Sequence, residues 1–181
     1  MLLVLTLGIE GRADEVAVPL TLQAELLAKV AGYDKNLPAR AGAVVHTLIV
    51  TKSGSGDSAR TAAGILNGLK AQGAIAGLAH DEAVVVFTDA TGLAQTCRDK
   101  HAAIVYLTQG FSDDEIASVA KGLEGADVLS AGAVAGFVPK GIVLGFDLVS
   151  GKPKLLVHLG QAKKQNVALS ASVLKLMTVY E

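Results

Sequence analysis

Cysteine is almost absent from this sequence: Cys97 stands alone among 181 residues. No disulfide can close within the chain, and no Cys-x-x-Cys metal or redox motif can form. Cys97 has Arg98 beside it in AQTCRDK, but no catalytic signature surrounds it, and it reads as an inert helix thiol. Tryptophan is missing and aromatic residues make up 4% of the chain, which leaves few rings for stacking bases. With 16 basic against 17 acidic residues and no basic block, nucleic acid is not an expected partner. Long apolar runs are missing after the first nine residues. Glycines and charges interrupt every later run before it reaches membrane-spanning length.

Catalytic constellations are equally thin. His46, His80, His101 and His158 are scattered, without the helix-face spacing a zinc site uses. Ser130, Ser150 and Ser170 lack the Gly-x-Ser-x-Gly elbow of a hydrolase. No catalytic residue and no cofactor are expected.

What is present is apolar content of 51%, enough for one core and one domain. MLLVLTLGI has the length of a secretory apolar segment, and small residues at Gly11 and Ala13 suit cleavage before Asp14. Residues 1–13 therefore read as an export signal lacking its basic start, with a buried strand or helix as the alternative. Residues 14–181 form the single domain.

Hydrophobic periodicity predicts the elements. In VAVPLTLQAELLAKVAGYD, the residues Leu22, Leu26, Leu27 and Val30 recur at helical spacing, with Pro19 or Thr21 near the start and Gly32 near the end. NLPARAG breaks the pattern. VVHTLIVTK reads as a buried strand and SARTAAGILNGLKAQG as a helix. AVVVFT, TGLAQTCRDK, AAIVYLT and DDEIASVAKGLEG then alternate strand and helix. Ser112 before Asp113, Asp114 and Glu115 is a capped helix start, so these acids need no catalytic role. The alternation predicts an α/β fold, a mostly parallel sheet flanked by helices in three layers. GIVLGFDLV and PKLLVHL around Ser150-Gly151 predict a C-terminal β-hairpin. A short helical stretch follows, then a break at Asn166 and a second helical stretch with Leu169, Val173, Leu176 and Met177 on one face.

The Gly54-x-Gly56-x-x-Ala59 loop tests as chemistry. A dinucleotide fingerprint needs an acid about 20 residues on for the ribose, and that distance falls in GAIAGLA. Asp81 and Glu82 come later and precede the next strand. No Gly-Lys-Ser or Gly-Lys-Thr makes it a P-loop. The loop reads as a strand-to-helix turn whose backbone N–H groups, with Ser53, Ser55, Gly56 and Ser58, can still hold a small anion. In a parallel α/β sheet the ligand crevice lies beyond the C-terminal ends of the strands. Thr88, Asp89, Thr108 and Gln109 follow the other apolar strands and complete the candidate ligand-binding set.

GIVLGFDLVSGKPKLLVH, with ADVLSAGAVAGF before it and QAKKQNVALSASVLKLM after it, resembles the YfiR-like family of exported bacterial proteins. Gly141, Phe146, Gly151, Lys152, Leu169, Ser170, Leu174 and Leu176 agree with the family pattern. Ile142, His158, Asn166 and Ala171 stand where the pattern has Gly, Asn, Gly and Ser. The resemblance implies a periplasmic, exported regulatory domain of homodimeric type. Its expected partner is a membrane-bound signalling protein, a diguanylate cyclase or a sensor kinase, held through protein contact and tuned by a small ligand. Members with cysteine pairs can be redox-sensitive, which Cys97 alone does not permit. The competing expectation is a periplasmic binding protein for a small solute or anion. The hairpin edge or the first helix, residues 20 to 31, is the expected dimer face.

Overall fold

The computed structural model describes residues 15–181. The export-signal reading of residues 1–13 lies outside them.

Seven strands form one sheet in the order β2-β1-β3-β4-β5-β6-β7. They are β1 (Val44–Thr51), β2 (Ala79–Val86), β3 (Ala102–Leu107), β4 (Leu129–Gly132), β5 (Leu144–Val149), β6 (Lys152–His158) and β7 (Met177–Tyr180). All neighbours pair in parallel except β5 and β6, the hairpin. Its turn residues Ser150 and Gly151 both have positive φ, 51° and 73°, the twist that a two-residue hairpin demands.

The helices are α1 (Leu20–Ala31), α2 (Leu37–Ala41), α3 (Gly56–Lys70), α4 (Ala90–Asp99), α5 (Asp113–Gly122), α6 (Leu159–Lys164) and α7 (Ala171–Leu174), with a 3-10 helix at Ala135–Lys140. From β1 the chain steps one way to β2 through α3, then back past β1 to β3 through α4. Right-handed crossovers put α3 on one face and α4 with α5 on the other, which gives the three layers the sequence predicts. α1 lies against α3 at close approach: a Cβ on Gly68 would come within 2.7 Å of the Ala24 Cβ.

The core runs through the sheet. Every residue of β3 is buried, as is all of β4. α1 begins after Pro19, whose fixed φ suits a helix entry, and ends at Gly32. α5 has a full capping box, Ser112 accepting from the Glu115 N–H while Glu115 returns to the Ser112 N–H.

Four sequence expectations need correction, and one element is added to them. NLPARAG holds α2, a five-residue helix with Pro38 in its first turn, where Pro costs nothing because that N–H has no helical partner. Asp81 and Glu82 lie inside β2, paired opposite His46 and Thr47. β2 is an edge strand with Val84 and Val86 exposed, so it tolerates charge that a central strand would not. The 3-10 helix went unread because AGFVPK is too short for periodicity. Leu176 is 65% exposed and Met177 opens β7, so the last apolar stretch ends as an edge strand paired with β6. The outer edge of the hairpin is consequently occupied, and the free edges of the sheet are β2 and β7.

Candidate functional site

The β1 to β3 step is where the strand order reverses, and the helices that follow these two strands, α3 and α5, pack on opposite faces. An open parallel sheet forms its ligand crevice at that point. The C-terminal ends of β1, β2 and β3 each feed a helix N-terminus there: α3 capped by Ser55, α4 by Asp89 and α5 by Ser112.

The first loop is Lys52 to Ser55. Gly54 takes φ 74° with open space around it, and Ser55 Oγ accepts from the Ser58 N–H at 3.1 Å. Ser53, Gly54 and Gly56 are exposed, and Ser55 is half-buried. The second loop is Thr108 to Ser112. A Cβ on Gly110 would stand 3.3 Å from Ser55 Oγ and 3.7 Å from the Lys52 Cβ, so the two loops touch. Gly110 has φ 98°, which excludes most other residues. The third loop starts at Phe87, whose N–H donates to the Thr51 carbonyl at 2.8 Å. Asp89 accepts from the Gly92 N–H at 2.8 Å.

Ser58 and Thr108 take a different place from the rim residues. Both are fully buried. Thr108 Oγ donates to the Val50 carbonyl at 2.9 Å, and Ser58 Oγ, which accepts the Lys52 N–H at 2.8 Å, lies 2.6 Å from Thr108 Oγ. With the Thr108 proton committed to Val50, Ser58 is the donor of that contact. These two hydroxyls sit in the wall and hold the loops. Ser53, Ser55, Thr88, Asp89 and Gln109 lie on the loops at the rim, and Gly56 opens α3 beside them.

An aromatic and charged group escaped the sequence reading. Phe87 and Phe111 meet edge to face at 5.2 Å between centroids, and Phe111 meets Phe137 at 6.4 Å. The Lys52 ammonium stands 5.9 Å from both the Phe87 and Phe111 rings, within cation–π range, and pairs with Glu115 across the two loops. The Lys52 hydrogen bond is the largest cause holding the Glu115 carboxyl below its ordinary range, with the Ser112 N–H helping. Lys52 directly after a buried strand was the available signal. Nothing in the spacing ties it to Glu115, 63 residues later.

The family-pattern residues serve the other half of the sheet. Gly141 has φ 104°, and a Cβ there would lie 2.7 Å from the Ala120 Cβ. Phe146 is fully buried in β5. Gly151 completes the hairpin turn, and Lys152 opens β6 on the surface. His158 caps α6, its Nδ1 accepting from the Gln161 N–H at 3.2 Å. Asn166 has φ 55°. It is a junction as well as a bend: Asn36 Nδ2 and an Arg40 guanidinium nitrogen both donate to its carbonyl, at 2.9 and 3.0 Å. Arg40 pairs with Asp34 at 2.8 Å, their side chains 3% and 0% exposed. The Ser170 N–H donates to the Tyr33 carbonyl at 3.0 Å, and Leu174 packs on the core.

Cys97 is buried in α4, and that burial pushes its thiol up to about 11 against the pull of Arg98. Among the described residues no group of three or more His, Cys, Asp or Glu could hold a metal ion. No helix among them is long and apolar enough to cross a membrane.

A mostly parallel sheet whose strand order reverses between β1 and β3, with helices on both faces, is an open α/β architecture. The sequence matches the YfiR/HmsC-like family over residues 21–178, and the chain belongs to that family. Membership makes it an exported, periplasmic protein. Its fold is similar to a conserved domain protein from Vibrio cholerae O1 biovar El Tor, with TM-score 0.60 and 15% identity over 90% of this chain and 60% of that one. It is similar to an ABC domain from Streptococcus pneumoniae in complex with L-Trp, with TM-score 0.57 and 13% identity over 90% of this chain and 62% of that one. It is also similar to CD0873, a substrate binding protein with adhesive properties from Clostridium difficile, in its ligand-free, open structure. There the TM-score is 0.57 and the identity 14%, over 93% of this chain and 61% of that one. The chain thus spans about three fifths of the length of these structures. No curated protein sequence matches it.

Proposed function

We propose that this protein is a non-catalytic recognition domain of the periplasm, which binds a small solute or anion at the C-terminal edge of β1, β2 and β3. The observation that carries the reading is the meeting of three loops at the switch point. Their polar rim of Ser53, Ser55, Thr88, Asp89 and Gln109 surrounds the Lys52–Glu115 pair and the Phe87–Phe111 wall. Such a set offers a few directed polar groups against an apolar backing, the usual make-up of a solute site. Similar folds that carry L-Trp or bind substrate support it. Calorimetry against a panel of amino acids, organic acids and phosphate tests it. We expect saturable binding that weakens when Ser55 and Lys52 are changed to alanine, and no turnover of the bound solute.

Family membership favours a second element, a membrane-bound partner. In that reading the domain, as a homodimer, contacts the periplasmic segment of a diguanylate cyclase or sensor kinase. Ligand shifts the population that makes the contact. Co-purification with a membrane protein carrying such a segment, altered by the bound solute, supports the signalling arm. Solute binding without any such partner leaves a binding protein alone.

A further inference from the structure

The opposite end of the molecule carries a separate groove. β6 runs antiparallel to β5, so its C-terminal residue His158 lies at the edge where the parallel strands begin, away from the switch-point crevice. There the second half of α5, the end of the 3-10 helix and the start of α6 border an open groove of about 540 Å³, room for a small metabolite.

His158 defines the chemistry. Its Nδ1 accepts the Gln161 N–H at 3.2 Å, so in the neutral ring the proton sits on Nε2. Nε2 has no partner among the described residues, and His158 lines the groove. Three lysines and two glutamates share the lining. Lys164 is spent on Glu124 at 2.9 Å, and Lys140 on Asp113 outside the groove. Lys121 and Glu181 have no ion-pair partner among the described residues, so the lining carries one uncommitted charge of each sign. A lysine in the last turn of a helix suits the helix dipole by itself; a tautomer-fixed imidazole donor in the same groove does not follow from that.

The floor is rigid. Gln161 is buried and its Nε2 donates to the Ala120 carbonyl at 2.6 Å and to Gln165 Oε1 at 3.0 Å. Gln165 Nε2 donates in turn to the Val128 carbonyl at 2.7 Å, and Ser130 Oγ donates to Gln165 Oε1 at 3.1 Å. This buried chain ties α6 to α5 and to β4, so the imidazole donor is held without a ligand to order it, while Lys121 reaches the groove from the exposed end of α5. At Gly160 a Cβ would lie 3.3 Å from the His158 ring, so the glycine leaves the imidazole edge open.

We propose that this groove binds the oxyanion group of a small molecule, carboxylate or phosphate, between His158 Nε2–H and Lys121. It stands independently of the switch-point crevice. The test is NMR of the full mature chain labelled with ¹⁵N, titrated with inorganic phosphate and, separately, with succinate. The expected result is a saturable shift of the His158 Nε2 resonance and of the Gly160 and Gln161 amides at millimolar anion. A response to phosphate alone identifies a phosphate ligand; a response to succinate alone, a carboxylate. Lys121→Ala should weaken binding about tenfold, the loss of one charge-assisted contact. His158→Asn keeps an acceptor for the Gln161 N–H, and so the α6 cap, but is too short to place a donor where Nε2 stands; it should abolish the response. Lys70→Ala, on α3, should leave it unchanged. No saturable shift with either anion, or shifts that survive both groove substitutions, would overturn the proposal.

Discussion

Ser58 Oγ lies 2.6 Å from Thr108 Oγ, and this buried hydroxyl pair joins the first turn of α3 to the end of β3. Thr108 Oγ donates its hydrogen bond to the Val50 carbonyl and Ser58 Oγ accepts from the Lys52 N–H, so the pair ties the two loops together.

Thr108→Val keeps the shape and removes the hydroxyl, stranding the Ser58 proton and the second lone pair of Val50. We expect a loss of about 1–3 kcal/mol, the cost of leaving buried polar groups unpaired, measured by urea unfolding. Thr108→Ser should restore most of it. A Val variant as stable as the parent would mean that the pair does not hold the loops.

The buried Arg40–Asp34 pair anchors α2 to the turn at Asn166. Arg40→Ala leaves the Asp34 carboxylate buried without its partner, which typically costs about 3–5 kcal/mol. The loss should appear in the same unfolding measurement. Protection of the Lys35 and Ala168 amides from exchange should fall with it, because the Lys35 N–H donates to the Ala168 carbonyl and the Ala168 N–H to Asp34.

His80 gives a pH dependence. Its ring is 9% exposed, with Nδ1 2.5 Å from Glu82 and Nε2 3.0 Å from the Gln72 carbonyl. Burial favours the neutral ring, but the Glu82 hydrogen bond, the Gln72 carbonyl and the charges of Glu82 and Asp81 outweigh it. The pKa is held above the ordinary 6.5. A raised folded-state pKa stabilises fully below the unfolded value of about 6.5 and loses that contribution as pH rises through the folded value. The stability difference between the parent and His80→Gln should therefore shrink from mildly acidic to mildly alkaline pH. A difference that grows with pH would show that the neutral ring is the one stabilised.

Cys97, with its thiol pushed up to about 11 by burial, should resist a thiol-specific disulfide reagent in the native state at neutral pH. It should react at once in denaturant. Rapid native labelling would mean that α4 opens from the sheet.

The order of strands and helices was legible because β1, β3 and the helices between them repeat strong apolar periods over six residues or more. The Ser112 helix cap and the Ser150-Gly151 turn were legible because each is a local rule confined to four residues. α2 and the 3-10 helix escaped because each is one or two turns long. β7 escaped because Leu176 and Met177 also fit a helix face. Of the crevice, the rim serines and Asp89 could be found as loop residues after strands. Lys52 with Glu115, and Phe87 with Phe111, could not, since only the fold brings residues so far apart in sequence together. Arg40 was hidden in the same way: its partners Asp34, Asp127 and Asn166 come from three separate segments.

The measurement that bears most directly on the central claim is amide shift mapping of the protein with a solute found by calorimetry. The account predicts saturable shifts concentrated in residues 52–58, 87–92 and 108–115, the three loops at the ends of β1, β2 and β3. A solute that binds with its shifts elsewhere, or the failure of every solute in the panel to bind, would contradict it.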